Sequence, residues 1–349
     1  MSTLSIAGRP IGTGHPPYIV AEMSANHNGS LERALDIIRA AHAAGADAVK
    51  LQTYTAESMT LDVDHPRFRV KGSNPWDGEH LFDLYRKAMT PWEWHEQLFA
   101  YGRHLGVTIF SSPFDRLAVE LLQSLDAPAY KIASFELVDH DLIRCCAATG
   151  KPLIMSTGMA SIGEISEAVQ VAREAGVQDL ILLKCTSAYP APPDLINLRT
   201  IPHMAEAFGA VVGLSDHTMG TGVSVAAIAM GATFIEKHFT LARTDGGVDS
   251  SFSLEPTELA HLVHESRMAH AALGNVSYIL GEQENAFRRY RRSLFFVRDL
   301  PAGRAITEQD VQALRPGDGL PPKYRDAVIG RSVRHAVTRG TPVSWKILA

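Results

Sequence analysis

The sequence predicts an α/β protein in which a (β/α)8 TIM barrel is followed by a small C-terminal domain. From residue 18 to about residue 273, short apolar segments alternate with segments of helical length, and eight such pairs can be counted. Eight is the number at which a parallel sheet of this type closes into a barrel. Beyond residue 280, prolines and glycines break the chain into short β-like pieces. We therefore expect a barrel at residues 1–280, a linker at 281–292 and a second domain at 293–349.

The alternative architecture is an open, doubly wound sheet. Such a sheet normally has fewer strands and a glycine-rich turn after its first strand. This sequence has no such turn, so the closed barrel is the favoured prediction.

The first units show how the elements are assigned. Residues 18–24 form an apolar run, and residues 30–44 place apolar side chains on one helical face before Gly45. A glycine after the last apolar position is a typical helix end. Residues 48–54 are the next strand, and residues 55–90 then interrupt the alternation with prolines, glycines and mixed charges. A connection of that length is either a functional lid or substrate wall, or a solvated excursion.

The alternation then resumes and continues to the end of the barrel. Ser161 and Glu164 form a capping box for a helix that ends near Ala175. Two further helices are predicted at residues 220–231 and 256–273, with shorter ones at 116–125 and before Thr149. The remaining strands are residues 107–114, 129–136, 152–159 and 180–189, and two strands that end at Ser215-Asp216-His217 and Glu236-Lys237-His238.

Composition argues against several classes of function. Thirty-three basic and 38 acidic side chains give a net charge of −5 without a basic stripe, so no nucleic-acid partner is expected. No apolar run is long enough to span a bilayer and the N-terminus lacks a signal-peptide pattern, which predicts a cytoplasmic protein without a membrane partner. The odd number of cysteines (Cys145, Cys146 and Cys185) argues for buried, reduced thiols rather than a disulfide framework.

Polar side chains collect at the carboxyl ends of the predicted strands, which face the active site in a TIM barrel. Two lysines surrounded by hydroxyl groups suit a small ligand that carries phosphate and carboxylate groups. Each serine could instead cap the helix that follows it, so the convergence of the set is more informative than any member. The set consists of Glu22, Lys50, Gln52, Ser111, Ser112, Lys131, Ser134, Glu136, Ser156, Thr157, Thr186, Ser187, Tyr189, Ser215, His217, Glu236 and His238.

His217 and His238 end two consecutive strands that one helix-length segment separates. Residues at the same end of adjacent parallel strands are neighbours in space, and the glycine-rich loop that follows could bring Asp249 to them. Two imidazoles and a carboxylate suit a divalent metal ion that polarises a carbonyl group or activates water. A lone histidine more commonly bonds a core carbonyl, but the pairing favours a metal site.

A series of long motifs then makes the chain similar to the sialic acid synthase family. In that family a metal-dependent barrel condenses phosphoenolpyruvate with an amino-sugar aldehyde and is joined to an antifreeze-like (SAF) domain. SANHNG, KIASFE and GGVDSSFSLEP resemble the pseudaminic acid branch, which implies 2,4-diacetamido-2,4,6-trideoxy-L-altropyranose as the sugar. The motifs are IVAEMSANHNGS, DAVKLQTY, FSSPFD, PAYKIASFE, MSTGM, LLKCTSAYP, GLSDHTMG, IEKHFT, GGVDSSFSLEP and LRPGDGLPPKY.

The resemblance implies a role for each matching residue. His217 and His238 are the implied ligands of Mn²⁺, Mg²⁺ or Co²⁺, and Glu22 matches an acidic residue beside the reacting carbons. The contacts to phosphoenolpyruvate fall on Lys50, Ser112, Lys131, Ser134, Ser156 and Ser215. The sugar-side positions are Gln52, Glu136, Tyr189 and Asp249, and Ser187 stands where the sialic acid branch has asparagine.

Two further positions extend the resemblance. Arg315 matches an arginine that the small domain of a partner subunit inserts into the barrel mouth, which implies a domain-swapped homodimer. Phe135 stands where the sialic acid branch has glycine, and its apolar ring would suit a sugar without a terminal hydroxyl group.

Several alternatives remain open from the sequence. The substrate could be that of a sialic or legionaminic acid synthase. An aldolase that forms a lysine imine is also possible because Lys50 and Lys131 lie in barrel strands. A non-catalytic sugar- or ice-binding protein is less consistent with the lysines, histidines and carboxylates, because a binding module needs no metal beside a carbonyl pocket.

Overall fold

A computed structural model of the chain describes residues 3–72 and 74–349. These residues form two compact units, one that ends at Gly274 and one that begins at Asn275. In the first unit, eight parallel strands form a closed barrel, which confirms the predicted fold class and excludes the open sheet. The predicted bounds of the barrel, linker and second domain stay predictions.

The barrel strands follow one another in chain order, and the last pairs with the first. An antiparallel hairpin of β1 (Leu4–Ile6) and β2 (Arg9–Ile11) precedes them. The strands of the barrel are β3 (Tyr18–Glu22), β4 (Ala48–Thr53), β5 (Thr108–Pro113), β6 (Tyr130–Ile132), β7 (Leu153–Ser156), β8 (Leu180–Cys185), β9 (Val211–Asp216) and β10 (Phe234–His238).

Helices connect the strands and lie outside them. The capping box of Ser161 and Glu164 is present at the start of its helix, as predicted. The helices of the first unit are α1 (Leu31–Ala43), α2 (Ala56–Met59), α3 (Leu81–Ala88), α4 (His95–Leu105), α5 (Arg116–Ser124), α6 (His140–Ala147), α7 (Ile162–Glu174), α8 (Thr200–Phe208), α9 (Gly222–Ala229) and α10 (Pro256–Leu273).

Helix α4 was not predicted from the sequence. It begins after Trp94, which makes no side-chain capping hydrogen bond, so the usual N-terminal signal of a helix is missing. Its Gly102 lies so close to β5 that an added Cβ would collide with the side chain of Ile109. The irregular residues 55–90 include α2 and α3, and Trp76 of this segment reaches the site described below.

The alternation of side chains along each strand decides which residues face the interior. One buried cluster contains Val20, Ala48, Phe110 and Phe234, together with Ile6 from the hairpin, and fills the interior at the amino-terminal end of the barrel strands. A second cluster, which includes Ile19, Val49, Leu51, Leu214 and Ile235, lies between the strands and the helices. Residues that lie two or four positions after a member of the first cluster on the same strand therefore also face the interior, at the carboxyl end of the barrel.

The second unit has its own small apolar core, which includes Leu294, Phe296 and Val311. Strand β11 (Ser293–Phe296) pairs with β12 (Val311–Leu314) in an antiparallel arrangement. The segment predicted as a linker contains α11 (Glu282–Ala286), and α12 (Arg325–Val328) follows later. Among residues 3–72 and 74–349, no helix combines the length and the apolar character needed to cross a membrane.

Candidate active site

Four charged side chains meet inside the carboxyl end of the barrel. Lys50 Nζ lies 2.8 Å from Glu22 Oε2 and 3.7 Å from Glu236 Oε1. Lys131 Nζ lies 3.7 Å from the same oxygen of Glu236. All four side chains are buried. The two ammonium groups thus converge in an interior pocket, where they could bind an anion.

The surroundings of these groups set their charge. Burial raises the pKa of Glu22 to about 7, against the opposing effect of Lys50. Burial acts in the same direction on Glu236, but Lys131 and Lys50 outweigh it and hold the pKa of this carboxyl below its usual value. Glu236 is therefore ionised, whereas Glu22 is partly protonated near neutral pH. When Glu22 is protonated, two ammonium groups face one carboxylate and the cluster attracts anions.

Hydroxyl groups contact Lys50 and the carboxylate that both lysines share. Lys50 Nζ donates to Ser112 Oγ at 3.3 Å, and Ser215 Oγ donates to Glu236 Oε1 at 3.1 Å. Ser134 and Ser187 lie on either side of Gly158, where an added Cβ would collide with both hydroxyl groups. The backbone N–H of Gly158 donates to Ser134 Oγ at 3.1 Å. Gln52 lies next to this group and donates to Glu22 Oε1 at 3.0 Å.

Several buried polar atoms of the site have no hydrogen-bond partner within the described part of the chain. They are Ser156 Oγ, Glu136 Oε2, Glu236 Oε2 and His238 Nδ1. A buried polar atom without a partner costs about 1–3 kcal/mol of stability. A polar ligand at the carboxyl end of the barrel could supply partners for these four atoms.

His217 and His238 lie side by side, with their ring centroids 5.4 Å apart. His217 Nδ1 lies 3.0 Å from the carbonyl oxygen of Thr186 and donates to it, since a carbonyl can only accept, which leaves Nε2 as the acceptor. Burial and the neighbouring His217 lower the pKa of His238 well below its usual value. His238 can therefore present a lone pair. Burial disfavours the charged form of His217, but Cys185 outweighs it and raises the pKa of this ring, so His217 must release a proton when it ligates a metal.

Asp249 lies near this pair, with Oδ2 3.9 Å from His238 Nδ1. Within residues 3–72 and 74–349, no set of three or more histidine, cysteine or acidic side chains is arranged to hold a metal ion. The residues fit a divalent ion that takes two imidazole ligands and leaves its other positions to water and substrate, because His238 Nδ1 is buried and unpartnered.

Aromatic rings form a wall on one side of the histidines. The centroid of Tyr189 lies 4.4 Å from that of His217, and Phe252 lies 5.0 Å from His238. Trp76, from the irregular segment between β4 and α3, packs on Tyr189 and donates from Nε1 to the carbonyl oxygen of Val248 at 2.8 Å. The long segment therefore supplies part of the wall, as one of the two interpretations of residues 55–90 predicted.

Not every predicted position faces the pocket. Ser111 bonds to Thr53, which bonds to His95 of α4, so this network lies on the helix side of the sheet. Phe135, next to Ser134 and Glu136, is 62% exposed. Arg315 belongs to the second unit and follows β12 directly.

Three residues of the site received no specific role from the sequence. Glu236 was collected among the polar strand ends, but only the structure puts it between the two lysines. Cys185 lies 3.9 Å from His217 Nδ1, and the imidazole lowers the pKa of its thiol to about 7 although burial opposes this. Ser24 donates to Asp249 Oδ2 across more than 200 residues of sequence. The period of two along β8 and β10 could have identified the first two, but no local signal indicates the third.

Comparisons with known proteins agree with this geometry. The sequence model of the NeuB family matches residues 37–278, and that of the SAF domain matches residues 291–349. The pseudaminic acid synthase of Helicobacter pylori is 43% identical over 330 residues, which cover 94% of this chain and 97% of the relative. The N,N'-diacetyllegionaminic acid synthase of Legionella pneumophila is 33% identical over 97% of this chain and 96% of the relative.

A solved structure shares the architecture. The N-acetylneuraminic acid synthetase of Leptospira borgpetersenii, solved in complex with citrate, superimposes with a TM-score of 0.73 at 30% identity. The match covers 82% of this chain and 94% of that structure.

Proposed function

The chain belongs to the NeuB family, and from this premise we propose that it is a pseudaminic acid synthase. The enzyme condenses phosphoenolpyruvate, water and the open-chain aldehyde of 2,4-diacetamido-2,4,6-trideoxy-L-altropyranose to pseudaminic acid and phosphate. The observation that carries the proposal is the convergence of two buried lysines, Lys50 and Lys131, within one barrel and on a shared carboxylate. The 43% identity to the Helicobacter pylori synthase supports this choice of sugar.

Phosphoenolpyruvate occupies the lysine pocket in this proposal. Its phosphate and carboxylate carry several negative charges, which the ammonium groups of Lys50 and Lys131 balance. Ser112, Ser134, Ser156, Ser187 and Ser215 offer hydroxyl groups to the same oxygens, and Ser156 Oγ has no partner among the described residues. Charge-assisted bonds of this kind are about twice as strong as neutral ones.

The sugar aldehyde lies on the side of the aromatic wall. His217 and His238 would hold a divalent ion, which supplies Lewis acidity that draws electron density from the aldehyde carbonyl. Mn²⁺, Mg²⁺ and Co²⁺ are the candidate ions that the family resemblance implies. Gln52, Glu136, Tyr189 and Asp249 supply polar contacts to the hydroxyl and acetamido groups of the sugar.

The reaction follows from this placement. C3 of phosphoenolpyruvate attacks the aldehyde carbon, whose oxygen takes up a proton and becomes a hydroxyl group. The positive charge that forms at C2 lies near Glu22, whose ionised form orients the water that adds there and accepts its proton. The C2–O bond to phosphate then breaks, the departing phosphate takes the remaining proton of the C2 hydroxyl, and the 2-keto group forms. Holding both substrates in one pocket lowers the activation free energy by on the order of several kcal/mol.

The active form in this proposal is a domain-swapped homodimer located in the cytoplasm. A series of exposed apolar side chains follows consecutive barrel strands at the mouth of the barrel, which is a typical sign of a covered surface. Arg315 of a second copy would complete the site by contacting the sugar. The exposed apolar residues are Phe135, Val138, Met159, Ile162, Leu195 and Met219.

One experiment tests the proposed function. Phosphate release from phosphoenolpyruvate is measured with the altrose-configured sugar and with the aldehyde substrates of sialic and legionaminic acid synthases, with and without chelator. Release that needs the altrose-configured sugar and stops with chelator is expected. Preference for another sugar would reassign the substrate. Chelator-resistant turnover with a borohydride-trapped lysine adduct would replace the proposal by an imine aldolase.

A further inference from the structure

Ser24 has a backbone conformation that serine rarely adopts. Its φ is 46°, in the left-handed region, although it is not glycine. It is buried, with 3% exposure, and directly follows Met23 after strand β3. The left-handed region is unfavourable for residues with a Cβ and persists where surrounding contacts compensate for it. The contacts of Ser24 therefore indicate why a side chain is kept here.

The compensating contact is made to Asp249. Ser24 Oγ donates to Asp249 Oδ2, the oxygen that faces His238. Burial raises the pKa of Asp249, and the Ser24 hydroxyl with the backbone N–H of Ala25 opposes this by stabilising the charged form. Asp249 is 7% exposed. The Ser24 hydroxyl and the Ala25 N–H thus hold this carboxylate together, and Ser24 supplies the side-chain contact.

The backbone around Asp249 is held by separate contacts. Asn26 Nδ2 donates to Ser253 Oγ at 2.9 Å and to the carbonyl oxygen of Phe239 at 2.9 Å. Ser253 Oγ donates to the carbonyl oxygen of Asp249 at 2.7 Å. Removal of the Ser24 hydroxyl should therefore release the carboxylate without releasing the turn that carries it.

We propose that Ser24 is a positioning residue that holds the Asp249 carboxylate beside His238 in the orientation that binds the sugar aldehyde. The inference rests on the proposed function, because it assigns Asp249 to the sugar. With Oδ2 occupied by Ser24, the other carboxylate oxygen is available to accept from a hydroxyl or amide N–H of the sugar. Ser24 itself does not contact the reacting atoms.

Ser24→Gly separates this role from a merely structural one. Glycine adopts positive φ without cost, so the fold should keep its Tm within a few degrees although a hydrogen bond is lost. The value of kcat/KM for the sugar should fall about tenfold or more, as expected when a bond to a charged group is removed. The KM for phosphoenolpyruvate should stay within about twofold. Sugar kinetics equal to those of the wild type would overturn the inference.

Ala7→Gly is the matched control. Ala7 also has a positive φ of 49°, but it is exposed in the turn of the β1–β2 hairpin at the opposite end of the barrel. This variant should leave both kinetic constants unchanged. A similar loss of sugar turnover in both variants would show that the effect comes from the backbone and would contradict the positioning role.

Two measurements separate failure of the inference from failure of the proposed function. A crystal structure of Ser24→Gly should show the Asp249 carboxylate rotated or in several conformers, while residues 250–253 stay in place. In an Asp249→Asn background, Ser24→Ala should lower Tm less than it does in the wild type, because the bond is already weakened. Both tests work even if no sugar is turned over. If the carboxylate does not move, or if the Tm changes are strictly additive, Ser24 does not orient Asp249 and the inference is rejected.

Discussion

Lys50 Nζ lies 2.8 Å from Glu22 Oε2 inside the barrel, and both side chains are almost fully buried. An ammonium group in such a place is stable only while carboxylates compensate its charge. Burial disfavours the charged lysine, but Glu22 and Glu236 outweigh it and raise the pKa of Lys50. The carboxylates therefore keep Lys50 protonated, so that its ammonium group can bind an anion.

The first prediction compares a buried lysine that faces the pocket, Lys50, with one on the helix side of the sheet, Lys237. Lys50→Met should raise the KM for phosphoenolpyruvate by about 100-fold, since a charge-assisted contact to a dianionic group is lost. Lys237→Met is the control, because Lys237 pairs with Asp216 at 2.9 Å on the helix side of the sheet. The control should lose about 3–5 kcal/mol of stability and leave the KM unchanged. Steady-state kinetics and thermal unfolding provide the comparison, and equal KM values for the two variants would contradict it.

The second prediction concerns the metal. Titration calorimetry with Mn²⁺ should detect one ion per chain in the wild type and none in His238→Ala. His264→Ala serves as the control, because His264 is an exposed residue on α10. Chelator should abolish phosphate release by the wild type, and added Mn²⁺, Mg²⁺ or Co²⁺ should restore it. Normal metal binding by His238→Ala would remove this assignment.

A third prediction follows from Glu136, whose pKa burial raises to about 7. The pKa in the folded protein is above the ordinary value of 4.5, so the stability that this group contributes is fully present below about pH 4.5 and is lost as the pH rises through about 7. Glu136→Gln has no such loss. From pH 5 to pH 8 the unfolding free energy of the wild type should therefore fall relative to that of the variant. The difference should be on the order of 1–2 kcal/mol after allowance for partial exposure. Chemical unfolding at several pH values measures this difference, and parallel pH curves would refute it.

The fourth prediction tests the swapped arrangement. Arg315→Ala should weaken sugar use far more than phosphoenolpyruvate binding. Mixed with Lys131→Met, it should recover about a quarter of the wild-type activity, since half of the dimers are mixed and one of two sites in each is intact. If Arg315 served its own barrel, the mixture would stay inactive. The mixture is refolded or co-expressed, and its phosphate release is compared with that of each variant alone.

The fifth prediction concerns the sugar. Phe135→Gly should improve kcat/KM for a sugar with a terminal hydroxyl group, relative to the 6-deoxy sugar, by about tenfold. A hydrophobic contact with a small group discriminates by roughly this amount. Leu195→Gly, which changes another exposed apolar residue near the barrel mouth, is the control. A preference that does not change would show that Phe135 takes no part in selection.

Much of this site could be predicted because barrel strands have a fixed direction and a side-chain period of two. Lys50 and Gln52 are two residues apart in β4, so spacing alone predicts that their side chains lie on the same side of the strand. Ser111 was collected with Ser112, although neighbouring residues of a strand face opposite sides. The bonds of Ser111 to Thr53 show that it faces the helices.

The barrel, the order of its strands and the residues at their carboxyl ends could be predicted from the chain, because hydrophobic periodicity and helix caps are local properties. The folded structure was needed to show that Glu236 is shared by two lysines, that Trp76 joins the aromatic wall and that Ser24 holds Asp249. These contacts join residues that are far apart in the chain. Their distances depend on closure of the barrel and on the conformation of its loops, which no local pattern encodes.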